Sequence, residues 1–231
     1  MLTLIDLIEA GTVDLDLAAY LAAVVRAGHS LIVGANPGGA GKTTVMVALL
    51  AFLPAGCAIE PVAHRRVLTR AGANPQRGAT CYLAHEVGAG PYYAYVWGAA
   101  ARAFFALAGQ GHTIATNLHA DTPAETRAQL CDENGVDPGD LQAVTLKLYL
   151  RLYRGHGWQP DRRVSHVYES DGTRDTLIWT HTPDEGFRRR AGSRVVSAAD
   201  EAACRDVLLA LQADGLRELR PVVTRILSVG P

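Results

Sequence analysis

Apolar residues recur at helical spacing over residues 2–10 and again over 15–26, where Asp14 or Asp16 can cap the second segment. The pattern then shortens. Ser30–Ala35 is a compact apolar run and reads as a buried strand, followed by a glycine-rich turn and a helix over Lys42–Phe52 that stops at Pro54 and Gly56. Cys57–Ile59 reads as the next buried strand, closed by Glu60 and Pro61. Residues 64–78 are rich in arginine and turn formers. Thr80–Ala84 reads as a third strand, Tyr92–Leu107 as one long apolar helix, and Thr113–Leu118 as a fourth strand ending at His119. Thr122 and Pro123 open a helix to Leu130. This alternation predicts an α/β fold with a mainly parallel sheet flanked by helices.

From about residue 144 the period changes. Val144–Tyr153, Arg163–Ser170 and Thr176–His181 carry β-formers, with turn residues at Gly155, Gly157, Pro160 and Asp171–Gly172. They read as an antiparallel meander. A capping box, Ser197 with Asp200, opens a helix stopped at Gly215, and Pro221–Val229 reads as another. The expected organisation is a single domain: amino-terminal helices over 1–28, a core over 29–143, a β extension over 144–182 and a helical tail over 183–231.

Composition narrows the class. The 231 residues are 48% hydrophobic and 19% charged, enough for one sizeable core. Twenty-two basic and 23 acidic residues leave a net charge of −1, so no global field draws nucleic acid, and no sequence-specific nucleic-acid partner is expected. Cys57, Cys81, Cys131 and Cys204 are dispersed, which argues against zinc or a disulfide framework and fits a reducing compartment. His64, His85, His156, His166 and His181 have no metal-ligand spacing. The first eleven residues lack the basic start of a secretory signal, and the uncharged runs fall short of a membrane span. A cytoplasmic protein is expected. Only two of the basic residues are lysines, Lys42 and Lys147, so each calls for a reason.

Lys42 has one. Val33–Thr44, VGANPGGAGKTT, reads as a phosphate-binding loop between a buried strand and a helix, the plainer alternative being a glycine-rich turn that precedes a lysine. Small residues let backbone N–H groups approach phosphate oxygens, the lysine reaches the β- and γ-phosphates, and a neighbouring hydroxyl serves Mg²⁺. Asn36, Pro37, Gly38, Gly39, Ala40, Gly41, Lys42, Thr43 and Thr44 are the candidate nucleotide-binding residues, with Thr43 as metal ligand. Asn36 stands where the fingerprint places its first glycine; its tolerance of left-handed backbone would allow the loop to form.

Hydrolysis further needs a positioned metal and an oriented water. In an open parallel sheet the ligand lies at the carboxyl ends of the strands, where Glu60, Glu86 and His119 fall. Glu86 could hold the metal through water, Glu60 could polarise the attacking water, and His119 could touch the γ-phosphate. The plainer alternatives are a turn glutamate before Pro61 and a structural histidine.

These segments resemble, in order, the secretion, pilus and archaellum motor ATPases of the type II and type IV systems. AGHSLIVGANPGGAGKTTVMVALLAFLP resembles their strand, P-loop and helix. AIEPVAH is similar to their acidic Asp box, YLAHEV to their Walker B segment, and GHTIATNLHADTPAE to their His box. The resemblance covers about residues 10–170. It implies a RecA-like P-loop NTPase fold and Mg²⁺-dependent hydrolysis of ATP, with Glu60 as the water-activating carboxylate, Glu86 as the Walker B acid and His112 with His119 as the His-box pair. It further implies a cytoplasmic homo-hexamer working on a membrane-bound secretion or pilus platform. Pro61 replaces the second acid of the Asp box and His85 the Walker B glycine; about thirty residues precede the P-loop, where the family carries a further domain, and the usual arginine-bearing helix between Glu60 and Glu86 is much reduced. Arg65, Arg66, Arg70 and Arg77 are candidates to reach a neighbour's phosphate. The competing readings are a nucleotide-binding regulator without turnover and a P-loop phosphotransferase; the latter's arginine-rich lid is not matched, since residues 87–111 hold only Arg102. The aromatics at 92, 93, 95, 97, 104 and 105 are expected to pack against the sheet. Arg188–Arg190 reads as a solvated turn, or a dock for an acidic partner or lipid headgroups.

Overall fold

The computed structural model describes residues 2–153 and 160–216. In chain order the elements are α1 (Leu4–Glu9), α2 (Leu15–Arg26), β1 (Leu31–Gly34), α3 (Lys42–Leu50), β2 (Ala58–Pro61), α4 (Arg65–Ala73), β3 (Thr80–Ala84), β4 (Glu86–Val87), β5 (Tyr95–Val96), α5 (Ala99–Gly109), β6 (Thr113–Leu118), α6 (Pro123–Arg127) continued by a π-helical turn (Ala128–Glu133), α7 (Pro138–Gln142), β7 (Leu146–Tyr153), β8 (Asp161–Ser170), β9 (Asp175–Thr182), β10 (Gly186–Arg189) and α8 (Ala198–Ala213). The helix expected over Pro221–Val229 and the turn residues Gly155 and Gly157 lie outside the described residues.

Eight strands form one sheet in the order β10-β9-β8-β7-β1-β6-β3-β2. The five from β7 to β2 run parallel; β8, β9 and β10 continue the sheet antiparallel. The fold is therefore α/β with a mostly parallel sheet, as the alternation predicts. The meander is not an appendage, because β7 hydrogen-bonds to β1 in parallel, with Ile32 opposite Lys147. Side-chain alternation along the strands feeds two cores. Leu31 and Val33 pack with α1, α2, α3 and α8 on one face. Ile32, Tyr82 and Ile114 pack with α4, α5 and α7 on the other.

Local signals account for most ends. Asp14 accepts from Leu17 N at 2.8 Å, Thr122 caps α6 with Pro123 in its first turn, and Ser197 and Asp200 close a capping box before α8. Three expectations are corrected. Cys57–Ile59 does not form a buried strand: β2 is the sheet edge, and Ile59 is 46% exposed. Residues 64–78 are not turns throughout, because Val67, Leu68 and Ala71 give α4 a buried stripe. The helix expected from Tyr92 begins only at Ala99. Gly98, at φ 56° and ψ −121°, sets its start, and the preceding backbone pairs as β5 with β4. Phe104 and Phe105 are thus in the core, whereas Tyr92 and Tyr93 are exposed.

Candidate functional site

The carboxyl ends of β1, β6 and β3 open onto a cleft of about 920 Å³. Its floor is the glycine loop from Gly38 to Thr44, with Val45 behind; Glu86, Tyr95 and His119 line one side, and Thr12, Arg162 and Arg163 the other. Gly34 permits the convergence. A Cβ there would lie 2.5 Å from the Ala120 carbonyl and 2.8 Å from the Tyr149 ring, so the turn after β6 reaches the loop only across a glycine. Gly39 and Gly41 adopt φ 75° and 99°, and Gly41 is the left-handed N-cap of α3. The loop N–H groups and the start of α3 make an anion cradle.

Lys42 is 7% exposed, and its Nζ donates to the Ala35 carbonyl at 3.1 Å. Burial pushes its amine below the ordinary lysine range, and the charges of Glu86 and Asp121 pull it partly back. Beside it, Thr43 Oγ1 accepts from Asn117 Nδ2 at 3.2 Å, and the same amide donates to the His85 carbonyl at 2.9 Å. Asn117 Oδ1 is buried without a hydrogen-bond partner among the described residues.

Glu86 and His119 meet, with Nε2 2.8 Å from Oε1, and His119 Nδ1 lies 2.9 Å from the Asn36 carbonyl. The pair therefore stands directly over the loop. Tyr95, opposite Glu86 in the β4–β5 pair, lies against the His85 ring at 5.7 Å. Glu60 is elsewhere. It ion-pairs with Arg70 of α4 on the sheet edge and borders a separate hollow with Asn74, Thr80 and Tyr82. His112 precedes the amino end of β6, the end opposite His119. It is buried at 3% exposure against Arg77, whose Nη1 is 2.6 Å from its Nε2; burial and that charge lower its pKa. Arg77 also bonds the Asn74 and Gln110 carbonyls, while Arg65 and Arg66 are exposed on α4.

Asn36 does not use left-handed backbone; among the described non-glycine residues only Ala94 has positive φ. Its N–H donates to Asp121 Oδ1 at 2.8 Å, and its Nδ2 to Asp121 Oδ2 at 3.1 Å and Glu125 Oε2 at 3.0 Å. Asn117, Asp121 and Arg162 are the residues that sequence reasoning missed. The first two flank His119 within the segment that resembles the His box, which was the available signal. Arg162, whose Nε donates to the Gly39 carbonyl at 3.1 Å, carries no local signal at all.

No family model and no curated protein matches this chain. Solved structures do. One is the VirB11 ATPase from the Brucella suis type IV secretion system in complex with sulphate, at 21% identity and TM-score 0.49, covering 72% of this chain and 54% of that one. Another is the Yersinia pseudotuberculosis ATPase DotB, at 10% identity and TM-score 0.45, covering 91% and 60%. A third is the Legionella pneumophila ATPase DotB, at 14% identity and TM-score 0.38, covering 87% and 53%. The matches thus span little more than half the length of each solved chain. Among the described residues, no helix is long and apolar enough to cross a membrane.

Proposed function

We propose that this chain binds ATP with Mg²⁺ and hydrolyses its terminal phosphoanhydride, as the motor core of a secretion- or pilus-type ATPase that drives movement or assembly of a partner. The observation that carries the reading is Lys42. A buried cation, beneath a glycine loop at the end of a buried strand, has a carbonyl as its one hydrogen-bond partner among the described residues and faces an open cleft. Such a group is short of an anion.

Lys42 and the loop amides would hold the phosphates and stabilise charge on the departing group. The donor set fits a small hard cation: the Thr43 hydroxyl and the Glu86 carboxylate are both oxygen donors lining the cleft. Bound Mg²⁺ would neutralise charge on the phosphate oxygens. Glu86 is the carboxylate we assign to orienting water, because it lines the cleft and Glu60 does not. His119, which contacts both Glu86 and the Asn36 carbonyl, is the residue we assign to registering the γ-phosphate. The same reading carries a homo-hexamer, a cytoplasmic setting and a membrane-bound platform as its partner, all from the motif resemblance. One observation favours a regulator without turnover instead: Arg70 holds Glu60 at the sheet edge.

The test is phosphate release from ATP with Mg²⁺ in wild type, Glu86→Gln and Glu60→Gln proteins that bind nucleotide equally. Glu86→Gln should lose about 100-fold or more in turnover, as for removal of a positioned acid–base group, and Glu60→Gln should stay near wild type. Collapse in Glu60→Gln alone would return the role to Glu60. Binding without turnover in the wild type would establish the regulator.

A further inference from the structure

The fingerprint glycine at residue 36 is replaced by an asparagine whose side-chain Nδ2 has two acceptors. Asn36 touches the turn after β6 through its N–H, its carbonyl and its side-chain amide. The acceptors are two carboxylates. Those carboxylates are themselves set by the start of α6: the Asp121 N–H donates to Glu125 Oε2 at 2.8 Å, and the Glu125 N–H to Thr122 Oγ1 at 3.1 Å. A glycine could offer the main-chain contacts but not the amide that bridges both acids. An aspartate would present a third carboxylate to the other two.

We propose that Asn36 is a positioning residue, a latch that fixes the entrance of the phosphate loop against Asp121 and Glu125 and thereby ties the loop to the turn carrying His119. Hydrogen bonds to ionised acceptors are the strong kind, which suits a loop whose consensus glycine is missing. All three contacts to the carboxylates are solvent-accessible, so water competes for each and the latch can open. The Asn36 carbonyl also meets His119 Nδ1, so the latch and the His119 ring share one loop residue. The nucleotide-linked part of this inference rests on the ATPase reading; the latch itself does not.

The experiment uses the full chain. Hydrogen–deuterium exchange over residues 34–41 is measured without nucleotide, and Mg-ATP affinity by calorimetry, in wild type, Asn36→Gly, Asn36→Asp, and Asn36→Asp combined with Asp121→Asn and Glu125→Gln. In Asn36→Asp, exchange should quicken and affinity fall, each about tenfold, the scale of one lost charge-assisted bond. The triple variant should recover most of the exchange protection, which a merely structural lesion would not do; its affinity also rises because two negative charges are removed, so exchange is the deciding readout. Asn36→Gly, which keeps the main-chain bonds and introduces no charge, should lie between wild type and Asn36→Asp. The proposal is overturned if Asn36→Gly exchanges like wild type, or if the triple variant is no better than Asn36→Asp. If the wild type binds no Mg-ATP, the ATPase reading fails while the exchange contrast still judges the latch.

Discussion

The chain's two lysines are both buried, in opposite circumstances. Lys147 on β7 is 1% exposed; its Nζ donates to the Val144 carbonyl at 3.0 Å and to Asp175 Oδ1 at 2.7 Å. Lys42, at the start of α3, is bonded among the described residues to a carbonyl alone and faces a cleft. Burial pushes both amines below the ordinary lysine range. At Lys147 the carboxylate of Asp175 opposes that push at contact distance, whereas at Lys42 Glu86 and Asp121 do so through space without bonding it. A buried cation with its own carboxylate is structural. One held beside a cleft without such a contact is arranged to receive an anion.

The sharpest way to break the comparison is Lys42→Met. Mg-ATP affinity should fall by about 100-fold or more, the loss of charge-assisted bonds to phosphate, measured by calorimetry. Its urea midpoint should not fall, because no ion pair is broken. A stability loss with affinity intact would make Lys42 a second Lys147.

Next is Lys147→Met, which strands Asp175 partly buried. Urea unfolding should show a loss of about 2–3 kcal/mol, somewhat below that for a fully buried pair, with Mg-ATP affinity kept in the folded protein. Adding Asp175→Leu should restore most of it. No loss in the single variant would remove the structural assignment.

The smallest effect concerns pH. In the native state Lys42 holds its proton less tightly than in the unfolded chain, so the charged lysine is a cost to the fold below its lowered native pKa. That cost fades as pH climbs from there toward 10.5. Wild type should therefore gain on Lys42→Met in urea midpoint between pH 8 and pH 10. A difference that is constant or widens over that range would contradict the desolvation of Lys42.

Much of the fold was legible because its signals are local. The strand–loop–helix around Lys42, the caps at Asp14, Thr122 and Ser197, and the turn at Asp171–Gly172 each depend on residues a few positions apart. The failures have equally specific causes. The run from Tyr92 has helical composition, yet Gly98 and the β4–β5 pair claim its first half. Cys57–Ile59 is apolar enough for a central strand, but among the described residues no second strand pairs with it. Strand β7 has β-formers without any sign that its partner would be β1, more than a hundred residues earlier.

The site divides in the same way. Glycine freedom, the lysine and the adjacent hydroxyl act within one loop, so the sequence by itself determined the glycine loop and its buried lysine. Which acid faces it was decided only by the order of strands. With β6 beside β1 and β3 beside β6, the segment after β3 brings Glu86 to His119; with β2 outermost, Glu60 falls to Arg70 at the edge. Strand order is a non-local choice, fixed by which faces the helices can cover, and neither glutamate's neighbours in the chain record it.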